Sequence, residues 1–242
     1  MSQTVLITGA SGGIGQAVSR AFAEKGNRLF LAGNTNTAAL AALQKELLSY
    51  SVSCEYIACD LSSGEGVRAL FAAFLQHYDA PDVVVNNAGA AEFGQIQDAD
   101  EETLQRVMNT DLASVIRVCR EASKLMIPRH CGRIINVSSV FGIYGASCES
   151  LYSAAKGAVN AFTKSLAKEL APSGIAVNAI APGAVDTSMN ARLSTEERAA
   201  LETEIPAGRF GTPEEIAECI RLLAAAPVYL TGQVIAADGG WF

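Results

Sequence analysis

The chain has 242 residues, half of them hydrophobic and 18% charged, which is enough apolar material to bury a large core. Its formal net charge of −7 argues against nucleic acid and anionic membranes as partners, because both are recognised by basic surface. Cysteines at 54, 59, 119, 131, 148 and 219 show no C-x-x-C spacing, and His77 and His130 are too far from any cysteine pair to suggest a zinc site. Reduced thiols and no metal site are therefore expected. No leader-like segment opens the chain, and no apolar run approaches the ~20 residues of a membrane helix, so a soluble, cytoplasmic protein is expected.

Strand-length apolar runs alternate with helical periodicity along the sequence. Residues 5–8 predict a first strand, 14–24 a helix ending at Lys25-Gly26, 29–32 a second strand and 38–48 a second helix. A third strand is expected at 54–59, a helix at 67–76 and a short apolar strand at 83–85. Residues 101–127 predict one long helix, 133–137 a fifth strand, 151–170 a helix and 175–180 a sixth strand. Thr212 and Pro213 open a helix at 213–223 as N-cap and first-turn residue, and 234–236 closes the series. Strands apolar on both faces, alternating with helices, predict a single-domain α/β, Rossmann-like doubly wound parallel sheet with helices on both faces. The polar stretch 186–210, with a helix start at Ser194, predicts a lid over a site.

The turn after the first strand reads Thr8-Gly9-Ala10-Ser11-Gly12-Gly13-Ile14-Gly15. Gly9 suits a tight turn, Gly13 lets backbone approach a pyrophosphate, Gly15 permits close packing of helix on sheet, and the N–H groups opening the helix face the phosphates. The second strand ends Ala32-Gly33-Asn34-Thr35 with no carboxylate to hold a ribose diol or repel a 2′-phosphate. NADP(H) is therefore favoured, with NAD(H) open, although no arginine is present there. Asn34, Thr35 and Ser11 offer neutral hydrogen bonds instead.

Tyr152 and Lys156 are four residues apart on one helix and so share a face. An ammonium beside a phenol stabilises the phenolate and lowers its pKa, which makes Tyr152 a general acid or base. Ser139, at the end of the fifth strand, is placed to hold a carbonyl oxygen in the same cleft. Tyr144, four residues before Cys148 in a glycine-flanked loop, reads as a pocket wall instead.

These motifs together resemble the short-chain dehydrogenase/reductases. They are TGASGGIG at 8–15, CDL at 59–61, NNAG at 86–89, Ser139 with Tyr152 and Lys156, APG at 181–183 with Thr187, RFGTPEEIA at 209–217 and the ending LTGQVIAADGGWF. The last two are similar to 3-oxoacyl-acyl-carrier-protein reductases. The resemblance implies a hydride-transferring reductase of a ketone carried as a small molecule or on acyl carrier protein, assembled as a homotetramer or homodimer. It implies cofactor contacts from Gly9, Ser11, Gly13, Ile14, Gly15 and Asn34, from Asp60, Leu61, Asn87, Ala88 and Gly89, and from Pro182, Gly183, Val185 and Thr187. Lys156 would also bind the nicotinamide ribose, and Tyr152 would stand beside it. The chain departs from the family at Asp111, where a fourth catalytic residue is an asparagine, and at Gly12, where NADP-dependent relatives often carry arginine. Phe93, Phe141, Tyr144, Met189, Leu193 and Ile205 are expected to line an apolar substrate pocket. Lys124, Arg129 and Arg133 are expected near its entrance, with Ser173 where some relatives have arginine. A sugar, steroid or small secondary alcohol is the alternative substrate, and a nucleotide-sensing regulator the alternative class.

Overall fold

The computed structural model describes residues 2–191 and 193–242. Seven strands form one sheet: β1 Thr4–Thr8, β2 Arg28–Gly33, β3 Cys54–Ala58, β4 Val83–Asn86, β5 Gly132–Val137, β6 Ile175–Pro182 and β7 Val234–Ala237. Their order is β3-β2-β1-β4-β5-β6-β7, and every neighbouring pair is parallel. The order reverses between β1 and β4, which opens a crevice beyond their carboxyl ends.

Alternation along each strand divides the core in two. Val5 and Ile7 of β1, with Leu29 and Leu31 of β2 and Val83 and Val85 of β4, face helices α1 (Gly13–Ala23), α2 (Thr37–Leu48) and α9 (Pro213–Ala225). Leu6, Phe30 and Val84 face α3 (Gly64–Phe74), α5 (Ser114–Met126) and α7 (Ser150–Leu170) on the other side. A fully buried Leu, Ile, Val or Phe contributes about 1.5–3 kcal/mol, so these two layers supply most of the driving force for folding. Among the described residues three shorter helices, α4 (Glu101–Val107), α6 (Phe141–Tyr144) and α8 (Thr195–Glu204), and the connecting turns complete the fold. No helix among the described residues is long and apolar enough to cross a membrane.

Two helices differ from the sequence expectation. α3 begins at Gly64 rather than 67 because Ser63 accepts the Gly66 N–H and caps it. Glycine is required at 66, where a Cβ would lie 1.8 Å from the Asp60 carbonyl oxygen. The helix expected over 101–127 is divided: between α4 and α5, residues Met108–Ala113 form a π-helical turn. An added residue in one turn leaves the apolar periodicity on either side intact, so the sequence pattern does not reveal it. Such turns concentrate at functional sites, and this one contains Asp111.

Candidate active site

The glycine turn between β1 and α1 is held shut by the end of β4. Thr8 Oγ1 accepts the N–H groups of Asn87 and Ala88 at 3.1 Å each, and Asn87 Nδ2 donates to the carbonyls of Thr8 and Gly9. That closeness explains two glycines. Gly9 has φ +63°, and a Cβ on it would lie 2.8 Å from the Ala88 backbone; one on Gly15 would lie 2.2 Å from Gly9 O. Gly12, the N-cap of α1, provides no side-chain cap, so the first N–H groups of the helix remain available to an anion.

A cleft of about 620 Å³ extends from this turn across the sheet. Gly9, Ser11, Gly13, Ile14, Asn34, Asp60, Leu61, Asn87, Ala88, Gly89 and Thr187, all expected at a cofactor, line it. Gly15 does not line it but permits its shape. Asp60 is engaged locally, accepting the N–H and hydroxyl of Ser62 at 2.9 Å each. The donor set suits a dinucleotide: uncapped helix N–H groups for the pyrophosphate, with polar residues at the β2 and β3 ends for the adenosine half. Arg106 is the one cation among the described residues lining this cleft, and it is paired with Glu92.

A second hollow adjoins the first, sharing Ile14, Asn87, Gly89 and Thr187, and it is lined by Ser139, Tyr152, Lys156, Asp111, Pro182, Gly183 and Val185. Here β5, α7 and the π-helical turn converge. Ser138 and Ser139 follow the end of β5. Ser138 Oγ donates to the Lys156 carbonyl, and Asn160 Nδ2 donates to Gly142 O, which ties the segment to α7. A Cβ at Gly142 would lie 2.6 Å from the Lys156 carbonyl carbon, so only glycine lets the chain pass α7 this closely. Ser139 Oγ accepts the Phe141 N–H at 3.1 Å, leaving its own proton to donate into the hollow.

Lys156 is only 4% exposed. Its Nζ donates to Val137 O at 3.2 Å, lies 3.3 Å from Asp111 Oδ1 and sits 5.5 Å from the Tyr152 ring centroid. Asp111 has no exposed surface, and its carboxylate accepts the Ala90 N–H at 3.1 Å. Burial raises the Asp111 pKa, while Lys156 and the Ala90 N–H oppose it. Lys156 is itself held above the usual lysine value: burial favours its neutral form, but Tyr152 and Asp111 outweigh it.

The expectation that Lys156 leaves Tyr152 with a lowered pKa is only half right. Burial raises the Tyr152 pKa and wins; Lys156 and a hydrogen bond with Ser139 pull it down, and Asp111 adds a further upward push. The phenol is thus protonated at neutral pH, the state a general acid requires.

Other sequence expectations fare differently. Phe141 and Tyr144 form part of helix α6 instead of lining the hollow. Tyr144 stacks on Phe242 at 4.7 Å, and Phe141 meets Trp241 edge-on at 5.7 Å. Aromatic side chains gain more from one another than from an open wall, and the chain's end supplies the partners. Ile205 is buried, packed against Gly239, so it belongs to the core. Met189 lines both hollows, whereas Phe93 lines a separate small one with Leu151. In the segment 186–210, of which residue 192 lies outside the described residues, α8 is fastened by Arg198 to Asp186 at 2.9 Å and over the Phe210 ring at 4.4 Å. Lys124, Arg129 and Arg133 are not near the entrance in one copy of the chain. They lie where α5 ends and β5 begins, the end of the sheet opposite Ser139, and Lys124 and Arg129 pair with Glu121 and Asp82. Ser173, just past the end of α7, lies at that same end. Thr8 and Ser138 were missed as organisers of the site. Their signal was position, each being at the carboxyl end of a central strand.

A doubly wound parallel sheet with a glycine turn at its switch point defines a dinucleotide-binding α/β protein. The chain belongs to the short-chain dehydrogenase family, whose family model, described as short chain dehydrogenase, matches residues 3–198. It is an oxidoreductase of that family, which binds a nicotinamide cofactor. It is 45% identical over 243 residues to an uncharacterized oxidoreductase, YmfI, of Bacillus subtilis, covering 100% of this chain and 99% of that protein. It is 39% identical to the 3-oxoacyl-[acyl-carrier-protein] reductase FabG of Thermotoga maritima, covering 97% and 96% of the two chains. Among solved structures it is similar to a variant actinorhodin polyketide ketoreductase crystallised with NADPH, at a TM-score of 0.94 and 35% identity, over 99% of this chain and 97% of that one.

Proposed function

We propose that the protein is a carbonyl reductase that uses NADPH in preference to NADH and acts on a 3-oxoacyl thioester. The observation that carries the chemistry is the convergence of Ser139, Tyr152 and Lys156 in a hollow opening onto the dinucleotide cleft. When bound, the nicotinamide cofactor supplies the hydride. The N–H groups opening α1 hold its pyrophosphate; Asp60, Leu61 and Asn87 to Gly89 hold the adenosine half, and Pro182 to Thr187 flank the nicotinamide. Lys156 faces the nicotinamide ribose. Ser139 donates a hydrogen bond to the substrate carbonyl oxygen, polarising it and fixing the face that is attacked. The Tyr152 hydroxyl gives its proton to that same oxygen, and Lys156 stabilises the phenolate left behind.

The missing carboxylate at the end of β2 supports NADPH, and the neutral Asn34, Thr35 and Ser11 are the partners for its 2′-phosphate. Similarity to 3-oxoacyl-acyl-carrier-protein reductases along nearly the whole chain supports the thioester. A ketone on another apolar or ring-bearing carrier is the second reading, favoured by the aromatic cluster of Phe141, Tyr144, Trp241 and Phe242 beside Ser139 and by likeness to a polyketide ketoreductase. The segment 186–210 acts as a lid over either substrate. A homotetramer or homodimer is part of the same reading, with the half-exposed Leu104 and Ile116 on the outer faces of α4 and α5 as contact residues.

The test is cofactor oxidation with a 3-oxoacyl thioester, NADPH against NADH. Turnover is expected with NADPH and is expected to fall at least ~10²-fold in Tyr152→Phe, while dinucleotide binding persists. NADH preference overturns the cofactor reading. Turnover of other ketones alone overturns the thioester, and cofactor binding with no turnover on any ketone points to a nucleotide-sensing regulator.

A further inference from the structure

Asp111 is a fully buried carboxylate one ion pair away from the proposed acid. It is positioned by two features the sequence does not show: the π-helical turn Met108–Ala113 and the Ala90 N–H at 3.1 Å. Gly89 leaves room for the arrangement, since a Cβ there would lie 2.6 Å from Asp111 Oδ1 and 3.2 Å from Lys156 Nζ. The backbone thus holds the carboxylate against the lysine from one side, while Val137 O fixes the lysine from the other.

Consider the charge in this hollow. With Asp111 ionised, Lys156 protonated and Tyr152 neutral, the three side chains sum to zero, and forming the phenolate leaves a net negative charge in a buried site. With an amide at 111 the same ionisation takes the trio from positive to neutral. Burial penalises net charge, so the carboxylate makes the phenolate harder to form.

We propose that Asp111 is a positioning residue that holds Lys156 in an ion pair and keeps Tyr152 protonated to higher pH, so that the proton-donating form needed for carbonyl reduction persists further into the alkaline range. This rests on the assignment of Tyr152 as the proton donor. In reduction the Tyr152 O–H bond breaks and its proton goes to the carbonyl oxygen, as the carbonyl carbon accepts hydride from a reduced nicotinamide dinucleotide. Oxidation is the reverse and needs the phenolate to take the hydroxyl proton. The raised pKa of Tyr152, to which Asp111 contributes, agrees with this geometry.

Among the described residues, few other charges face the trio. Arg106 on α4 acts on Asp111, and Glu149, just before α7, acts on Tyr152. The β4 loop and β5 present backbone N–H and carbonyl groups and the Ser139 hydroxyl, none of which titrates in the working range.

The experiment compares Asp111→Asn with the wild type. Asparagine keeps one oxygen to accept the Ala90 N–H and removes the negative charge, while an NH2 donor takes the place of the second acceptor oxygen. Two quantities are read: the pH profiles of kcat/KM for ketone reduction and for oxidation of the matching alcohol, and an ultraviolet difference titration of the phenolate, referenced to Tyr152→Phe in each background. In Asp111→Asn the alkaline limb of reduction, the acid limb of oxidation and the phenolate titration are all expected to move down by about one pH unit, roughly tenfold in the phenolate-to-phenol ratio. Superimposable limbs, an upward shift, or a uniform loss of rate with no shift overturns the proposal, the last being what a merely structural role produces. Should Asp111→Asn fail to fold, the same titration is read in Asp111→Ser, which also removes the charge: a phenolate titration lower than in wild type supports the proposal, and one unchanged or higher overturns it. If Tyr152→Phe leaves reduction intact, the assignment of the acid has failed, while the phenolate titration still reports on Asp111.

Discussion

Lys156→Met tests whether the buried ion pair has the stabilising role its geometry assigns. The two side chains are 5% and 0% exposed and 3.3 Å apart. At an effective dielectric of ~20 their attraction is about 5 kcal/mol, and breaking a buried pair by removing one partner costs about 3–5 kcal/mol. A chain of 242 residues loses roughly 2 °C of Tm per kcal/mol, so a fall of about 6–10 °C is expected at neutral pH. The pH dependence gives the sharper check. Burial already raises the Asp111 pKa and Lys156 opposes it, so removing the lysine moves that pKa further up. A group with a raised folded-state pKa contributes its stability below its unfolded value and loses it as pH rises. The deficit of Lys156→Met should therefore be small in acid, where the carboxyl is neutral in both states, and should grow toward neutrality. Thermal and denaturant melts across that range measure it. Asp111→Asn/Lys156→Met should recover most of the loss, because no charge remains buried alone. A deficit independent of pH, or a double variant no better than Lys156→Met, would refute the reasoning.

Gly12→Arg should shift preference toward NADPH. Gly12 is extended (φ −80°, ψ 166°), and a Cβ there meets only Gly9 O at 3.5 Å, so an arginine fits at the mouth of the cleft. A charge-assisted bond to the 2′-phosphate should raise the NADPH:NADH ratio of kcat/KM about tenfold, an effect that added salt weakens. Thr212→Ala should remove the N-cap of α9, whose hydroxyl accepts the Glu215 N–H at 3.2 Å, and lower stability by about 1 kcal/mol, or about 2 °C. Glu215 closes the same capping box and is gripped by Arg209, which pulls its pKa down to about 2. Its contribution is present above the ordinary carboxylate range and is lost as pH falls toward 2, so Glu215→Gln should narrow the gap to wild type in acid melts.

What the sequence determined was local. Alternation in β1, β2 and β4 assigned residues to the two faces of the sheet because side-chain direction in a strand follows from position alone. The glycines at 9 and 15 marked a turn that only glycine can make, and the spacing of Tyr152 and Lys156 put them on one face of α7 before any packing was known. What tertiary structure decided were contacts between distant segments. Asp111 reaches Lys156 and Ala90 only because the π-helical turn, α7 and the β4 loop meet above the sheet. Burial there reverses the shift expected for Tyr152 from its lysine alone. Phe141 and Tyr144 turn to Trp241 and Phe242, residues a hundred positions away. Arg133, so near Ser139 in sequence, lies at the far end of the sheet because it sits at the start of the extended strand Gly132–Val137, whose other end Ser139 follows. Strand and helix periods are set by the backbone of each segment, whereas the desolvation and charge balance that tune a site depend on which segments the fold brings together.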